Sequence, residues 1–312
     1  MRLKQSNIAL RVDAVCGVYG EMLKRIATLL VIGLAWAAQV SSAEEHAARG
    51  LVLKVVPARG EIDVSCDEIP GYMNAMEMSF EVRDRKALSA LKPGMAISFS
   101  IVTHGKALYA EKIQPGATQN FESEPMEAGS LTALQSIVDR AAVKEEVKVG
   151  EAVPDFVLTD QTGKELHLTQ LRGKVVVLTF GYSRCPNPNY CLRLSNNLEH
   201  VEKRFHARAG KDLVLLTIAI DPEHDRGTAL TEYAKSFNAD PADWHFLTGS
   251  LADVKQTSKM FGMNFWSSEG LLTHPLHTVI IDREGRLAVN LEGNQFSAKQ
   301  LGDLALTEMN RP

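Results

Sequence analysis

The chain has 312 residues, of which 45% are hydrophobic and 23% are charged, and its formal net charge is -4 at pH 7. This length allows two ordinary domains, each with its own core. The small negative charge and the lack of a long basic run argue against nucleic-acid binding and leave room only for weak electrostatic docking.

The N-terminal segment indicates export. Two basic residues precede an apolar run at 26–40, and three small residues follow it at 41–43. This pattern is typical of a secretory signal at 22–43, which makes residues 1–21 an over-long start. The apolar run is shorter than the ~20 residues of a spanning helix, although an uncleaved signal would anchor the protein in the membrane. We therefore expect an exported protein, located in the periplasm if its source is a Gram-negative bacterium.

A start at Met22 changes the cysteine count. Cys16 would then be absent, and the mature chain would carry Cys66, Cys185 and Cys191. An odd number leaves at least one sulfur without an intramolecular partner, which an oxidising compartment makes unusual.

Residues 50–113 predict a small all-β barrel. Five short runs rich in β-branched and aromatic residues are separated by turn signals such as Pro70-Gly71 and Pro93-Gly94. Five short strands at this spacing favour a closed barrel. Residues 114–147 follow as a polar linker with one short helix, "SLTALQSIVDRAAV" at 130–143.

Residues 148–312 predict an α/β domain. "KVVVLTFGY" and "DLVLLTIAI" are continuous apolar runs, as in strands buried on both faces. Helical periodicity follows each run, and a hairpin and a final helix at 297–308 end the chain. This order of elements is thioredoxin-like.

The loop after the first buried strand, "SRCPNPNYC", carries Cys185 and Cys191. A thioredoxin redox pair has a two-residue spacer, whereas five residues separate these cysteines, and two prolines are expected to keep the spacer from being helical. Soft thiolates suit copper(I), but a third ligand is needed. His274 and His277 precede a later strand of the same sheet, and His274 is preferred because His277 already lies in the strand pattern. A structural Cys185–Cys191 disulfide and a thiol-reductase pair remain alternatives.

"MNAMEM" concentrates Met73, Met76 and Met78 in the barrel. Residues 76 and 78 share one face of a strand, and Cys66 ends the preceding strand, within reach across a hairpin. Thioether sulfur is a soft, uncharged ligand suited to copper(I). Methionines on one face of a small barrel also fill its core, so packing is the alternative.

Four blocks in order resemble the SCO/SenC family of thioredoxin-fold copper chaperones, over roughly 148–308. They are "VVVLTFGYSRCPNPNYC", "IAIDPEHDRGTALTEYA", "WHFLTGS" and "NFWSSEGLLTHPLHTVIIDREGRL". The resemblance implies Cys185, Cys191 and His274 as copper ligands, and delivery of copper to the CuA centre of a respiratory oxidase. Asp221 and Asp225 in the second block either orient this site or cap the following helix.

"VSCDEIPGYMNAMEMSFEV" resembles the CusF-like family, a small OB-type barrel that binds copper in the periplasm. The resemblance implies a second, softer copper site at Cys66, Met76 and Met78, with Met73 where the family has an aromatic residue.

The sequence thus predicts an OB-like barrel followed by a thioredoxin-like domain, in an exported copper chaperone. Its partner would be an oxidase subunit or another copper acceptor, with a membrane-associated client. A thiol–disulfide oxidoreductase that reduces client cysteines, and a periplasmic copper buffer or sensor, are the alternatives, so enzymatic activity stays open.

Overall fold

In a computed structural model of the chain, Glu45–Pro312 form one compact unit. The structure describes residues 45–105, 107–116, 146–268 and 271–311. The expected over-long start, the signal peptide and the helix at 130–143 lie outside the described residues, as does most of the linker. None of the helices within the described ranges is long and apolar enough to cross a membrane.

The first described part is a five-stranded closed barrel. Its strands are β1 (Glu45–Val56), β2 (Glu61–Cys66), β3 (Met76–Glu81), β4 (Ala96–His104) and β5 (Ala107–Pro115). They close in the order β1-β2-β3-β5-β4, and only the β3–β5 pair is parallel. This confirms the expected OB-like barrel, although β1 begins before residue 50.

One helix of the barrel is missing from the sequence prediction. It is α1 (Arg85–Ala90), between β3 and β4. Its single signal is Asp84, whose carboxylate accepts hydrogen bonds from the backbone N–H groups of Lys86 and Ala87. An Asp cap of this kind stabilises a helix start, even where six residues are too few for a recognisable apolar period.

The second described part is a seven-stranded mixed sheet, which confirms the thioredoxin-like α/β class. Its strands are β6 (Val157–Asp160), β7 (Glu165–His167), β8 (Val175–Gly181), β9 (Leu213–Ala219), β10 (Trp244–Thr248), β13 (His277–Ile281) and β14 (Leu287–Glu292). The order across the sheet is β14-β13-β8-β9-β10-β6-β7. The three central strands are parallel to one another, and the outer pairs are antiparallel. A separate hairpin, β11 (Trp266–Ser268) with β12 (Leu271–Thr273), is an addition that the sequence did not predict.

Helices cover both faces of this sheet, which explains the continuous apolar runs of β8 and β9. The helices are α2 (Arg193–Arg204), α3 (Thr228–Lys235), α4 (Leu251–Lys259) and α5 (Ala298–Met309). Residues of α2, α3 and α5 form one core with alternate sheet residues, and α4 with Phe261 contributes to the core on the other face. Every residue of β8 and β9 is therefore buried.

Candidate metal centres

The two cysteines of the candidate main site lie between β8 and α2. Cys185 is partly exposed, while Cys191 is buried within a helical turn at Pro188–Leu192 that leads into α2. The expectation that prolines keep this loop from being helical therefore holds only in part, because the turn at Pro188–Leu192 is broken by a kink at Tyr190, whose φ of -106° and ψ of -105° are not helical. Pro188 occupies the first position of the turn, where its missing N–H costs nothing and its fixed φ suits a helix.

Cys185 and Cys191 are free thiols that influence the pKa of one another. A hydrogen bond from Cys191 lowers the pKa of Cys185, assisted by backbone N–H groups of the loop, while the same bond and burial raise the pKa of Cys191. The pair therefore loses its first proton easily, leaving a thiolate on Cys185 beside the thiol of Cys191, and holds the second proton firmly.

His274 reaches this pair from the loop between β12 and β13. Its Nε2 lies 3.7 Å from Cys191 Sγ, and its Nδ1 lies 2.7 Å from the carbonyl oxygen of Pro275. A carbonyl only accepts hydrogen bonds, so Nδ1 carries the proton and Nε2 presents its lone pair towards the cysteines. Burial also lowers the pKa of His274, which keeps the imidazole neutral and able to bind a metal.

His277 faces elsewhere, as the sequence analysis anticipated. It is buried at the start of β13, and its Nδ1 lies 2.9 Å from Oδ1 of Asn290 on β14. The amide nitrogen of Asn290 in turn donates to the carbonyl of Phe261. His277 is thus a histidine with a structural hydrogen bond, and His274 is the one that the fold brings to the thiols.

Two buried carboxylates hold the residues just before Cys185. Asp225 accepts hydrogen bonds from the backbone N–H and the hydroxyl of Ser183, and Asp221 accepts two from the guanidinium of Arg184, at 2.6 and 3.1 Å. Neither caps α3, which is preceded by Gly227 without a side-chain cap. Of the two readings of these aspartates, the structure supports orientation of the cysteine loop.

Asp221 and Asp225 were predicted from the sequence as residues that could orient the site, but their partners Ser183 and Arg184 were not. The available signal was their position, since both immediately precede Cys185 and can pair with carboxylates. Tyr182 was also missed. Its ring meets the His274 ring edge-on, with 6.0 Å between centroids, and its hydroxyl donates to the carbonyl of Leu272. Tyr182 therefore ties the loop that carries His274 to the end of β8.

The second candidate site lies at the end of β2, on the face of the β2–β3 pair that carries Cys66. Cys66 pairs directly with Met76, and Val64 with Met78, so these side chains share the inner face of the β2–β3 pair. Met73 and Met78 also pack against the barrel core. Met76 is 47% exposed, which core filling does not explain.

Cys66 differs from the other two thiols. It is 1% exposed, and burial, with a smaller effect of the Asp67 charge, raises its pKa to about 12. A buried protonated thiol is slow to oxidise or to react with electrophiles. This protection answers the question that an unpaired cysteine raises in an oxidising compartment.

Within the described ranges, no three His, Cys, Asp or Glu side chains already form a group that could hold a metal ion. The main site therefore consists of two thiols in contact and one imidazole nitrogen facing Cys191, which would have to draw together on binding. Its donor chemistry, two sulfurs and a neutral imidazole, suits a soft ion such as copper(I). The barrel offers one thiol and up to three thioethers. This donor set is softer than that of the main site, because it contains no imidazole.

Comparison with known families divides the chain at the same place as the fold. A family model described as SCO1/SenC matches residues 144–306, and one described as copper binding periplasmic protein CusF matches residues 45–115. The first match spans the mixed sheet, and the second spans the barrel.

Among similar proteins, a SCO2-like protein of Rickettsia typhi is 28% identical over 150 residues, covering 46% of this chain and 70% of that protein. Mitochondrial SCO2 of Saccharomyces cerevisiae is 31% identical over 140 residues, covering 42% of this chain and 44% of that protein. The crystal structure of yeast Sco1 with copper bound matches with a TM-score of 0.45 at 25% identity, covering 52% of this chain and 90% of that one.

Proposed function

This chain belongs to the SCO1/SenC family and carries a CusF-like barrel before the family domain, and on this basis we propose that it is an exported copper chaperone that delivers copper to a respiratory oxidase. The oxidase partner and the periplasmic location are parts of this proposal. The match to the family described as copper binding periplasmic protein CusF supports the choice of copper as cargo.

One observation carries the proposal. His274 lies 83 residues after Cys191 in the chain, and yet the fold brings its unprotonated nitrogen to 3.7 Å from that sulfur. A histidine with no role at the thiols would not need this orientation, which depends on the hydrogen bond of Nδ1 to Pro275. The ion would be held by Cys185, Cys191 and His274. Because Cys185 is partly exposed, an acceptor protein could reach the ion there and exchange ligands.

The cysteine loop has the properties that delivery requires. Cys185 is partly exposed and readily deprotonated, so an acceptor's ligand can displace it. Cys191 is buried, His274 is partly exposed like Cys185, and the aspartate contacts to Ser183 and Arg184 fix the loop before Cys185. The three donors thus combine two accessible ligands with one buried thiol that would retain the ion until transfer.

We also propose that the barrel holds a second copper ion at Cys66, Met76 and Met78, with Met73 beside them. The direct pairing of Cys66 with Met76 supports this, because residues paired on one face lie close enough to bind the same ion. The exposure of Met76 gives the ion a route into an otherwise closed barrel.

Metal analysis tests both sites. We expect about two copper(I) ions per chain, since each set supplies the two or three soft donors that copper(I) prefers. Cys185→Ser with Cys191→Ser should remove one, and Cys66→Ser with Met76→Ala should remove the other. If the cysteine-pair variant keeps its full copper content, the proposed main site is wrong.

Delivery needs a separate test in the native host. Deletion of the gene should lower the activity of a CuA-containing oxidase, and the Cys185→Ser/Cys191→Ser variant should fail to restore it. Copper binding with normal oxidase activity after deletion would identify a buffer or sensor instead.

The thiol pair also supports a second candidate, a thiol–disulfide oxidoreductase. An accessible thiol with a lowered pKa beside a second thiol is the arrangement that attacks a disulfide and then resolves the mixed intermediate. Reduction of an oxidised client peptide by the copper-free chain, lost in Cys191→Ser, would favour this function. His274→Ala separates the two, because it should weaken copper binding without abolishing reduction.

A further inference from the structure

The strands that carry the barrel sulfurs have a second face. Along β2 and the residue that follows it, Cys66 points inward, while its neighbours Ser65 and Asp67 lie on the opposite side. On β3, Glu77 pairs with Ser65 and shares that outer face, between the inward-facing Met76 and Met78. Polar side chains at these alternate positions normally face solvent.

In this structure the outer face lies against α5 of the thioredoxin-like domain. Ser65 Oγ donates to Asp303 Oδ2 at 2.6 Å, and Gln300 Nε2 donates to Asp67 Oδ1 at 2.9 Å and to the Ser65 carbonyl at 3.3 Å. Both residues adjoining Cys66 are therefore bonded to α5, which contacts β1 as well.

Asp303 is held firmly enough to anchor the strand. It is 3% exposed, and its carboxylate also contacts Lys299 Nζ at 2.6 Å and Arg204 Nη2 of α2 at 2.7 Å. Burial alone would raise the pKa of Asp303, but these contacts and the Ser65 bond outweigh it and lower the pKa. The carboxylate is thus ionised at neutral pH and accepts a strong hydrogen bond from Ser65.

Apolar contacts extend the same interface. Leu51 and Leu53 of β1 are buried in the core formed by α2, α3 and α5. Gly94, in the turn before β4, lies so close to β14 that an added Cβ would be 2.5 Å from Val289 and 2.9 Å from Leu291. The barrel is therefore packed against the second domain through a continuous core as well as through the polar contacts.

We propose that α5 is a positioning element of the barrel sulfur site, with Gln300 and Asp303 fixing the strand that presents Cys66. The sulfurs would hold the ion on one face of β2 and β3, and the helix supports β2 from the opposite face. Residues that orient metal ligands in this way typically contribute about tenfold to a hundredfold to metal affinity. This inference rests on the proposed second site for its copper readout, and it makes the barrel site dependent on the neighbouring domain.

The test uses the full chain with Cys185→Ser and Cys191→Ser, so that only the barrel can hold copper. Copper(I) affinity is measured by competition with a chromophoric chelator, and Gln300→Ala should weaken it about tenfold to a hundredfold. Ser65→Ala, a smaller change that removes only the bond to Asp303, should act in the same direction. Gln170→Ala is the matched control, because Gln170 makes one backbone contact, to His167, far from the barrel.

A second readout needs no metal. Without copper, Cys66 should react slowly with iodoacetamide, and Gln300→Ala should raise its rate about tenfold by easing local opening of β2, while Gln170→Ala leaves it unchanged. Equal affinities and equal alkylation rates in Gln300→Ala and its parent would overturn the role of α5. If the parent binds no copper, the second site fails, and the alkylation rates alone decide the role of α5.

Discussion

Replacing Gly181 tests how closely the cysteine loop packs on the sheet. Gly181 ends β8, and a Cβ added there would lie 2.9 Å from the hydroxyl of Tyr233 and 3.4 Å from Cys191 Cβ. The first distance is too short and the second is an ordinary van der Waals contact, so Gly181→Ala must displace the Tyr233 hydroxyl. Overpacking of this kind costs about 1–3 kcal/mol, and the reduced entropy of the unfolded alanine chain returns ~0.4–1 kcal/mol.

We therefore expect Gly181→Ala to lower the free energy of unfolding by about 1–2 kcal/mol, or the Tm by ~2–8 °C. Tyr233→Phe removes the oxygen that the new Cβ meets. That hydroxyl is buried, and no described residue gives it a hydrogen bond of good geometry, so its loss alone should cost little. The double variant should then recover about 1 kcal/mol or more of the cost of Gly181→Ala.

The double-variant cycle needs a control for ordinary overpacking. A Cβ on Gly249 would lie 2.8 Å from Leu158 Cδ2, away from the thiols. Gly249→Ala should destabilise the protein similarly, and Tyr233→Phe should give it no relief. If the effects of Gly181→Ala and Tyr233→Phe simply add in chemical denaturation, Tyr233 does not limit the space beside Cys191, and the packing argument is refuted.

Three further predictions follow from the candidate sites. His274→Ala should weaken copper(I) binding at the thiol pair, whereas His277→Ala should lower only the unfolding free energy, by the ~1–3 kcal/mol of a lost buried hydrogen bond; chelator competition and chemical denaturation distinguish them. Without metal at pH 8, iodoacetamide should modify Cys185 faster than Cys66, because the pKa of Cys185 is lowered and that of Cys66 is about 12; peptide mass spectrometry reports both rates, and equal rates would contradict these shifts. The pKa of Asp221 is lowered because hydrogen bonds from His224 and Arg184 outweigh burial. The stabilisation by Asp221 is therefore fully present above the ordinary carboxyl pKa near 4 and is lost as pH falls through the lowered value. The difference in unfolding free energy between Asp221→Asn and the parent, measured by denaturation from pH 7 to pH 3, should shrink on acidification.

The sequence predicted the parts of the fold that depend on local pattern. Continuous apolar runs indicated β8 and β9 because helices cover both sheet faces, and alternation with turn residues indicated the barrel strands. Short elements were not predicted, since α1 and the β11–β12 hairpin have too few residues for a hydrophobic period to be recognised. The helical turn at Pro188–Leu192 was missed because proline was treated as a helix breaker, although at the first position it is compatible with a helix.

The candidate main site was predicted through residue chemistry, and its support was not. Cys185 and Cys191 were selected because soft thiolates suit copper(I), and His274 was selected as the third ligand from its place before β13 and from the family resemblance. Ser183 and Arg184 are ordinary surface residue types, and only the fold shows that Asp225 and Asp221 bond to them. The contacts of Ser65 and Asp67 were not predicted either. Polar residues that alternate along a strand are expected to face solvent, and only the fold shows that α5 covers them.

The docked barrel changes how copper could pass between the two sites. Cys191 lies just before α2, and Arg204 at the end of α2 contacts Asp303, which bonds to Ser65 beside Cys66. The 12 residues of α2 span about 18 Å at 1.5 Å per residue. The two proposed sites are therefore connected through α2 and α5 as well as through the linker, and the contacts of Ser65 and Gln300 hold β2 in that arrangement.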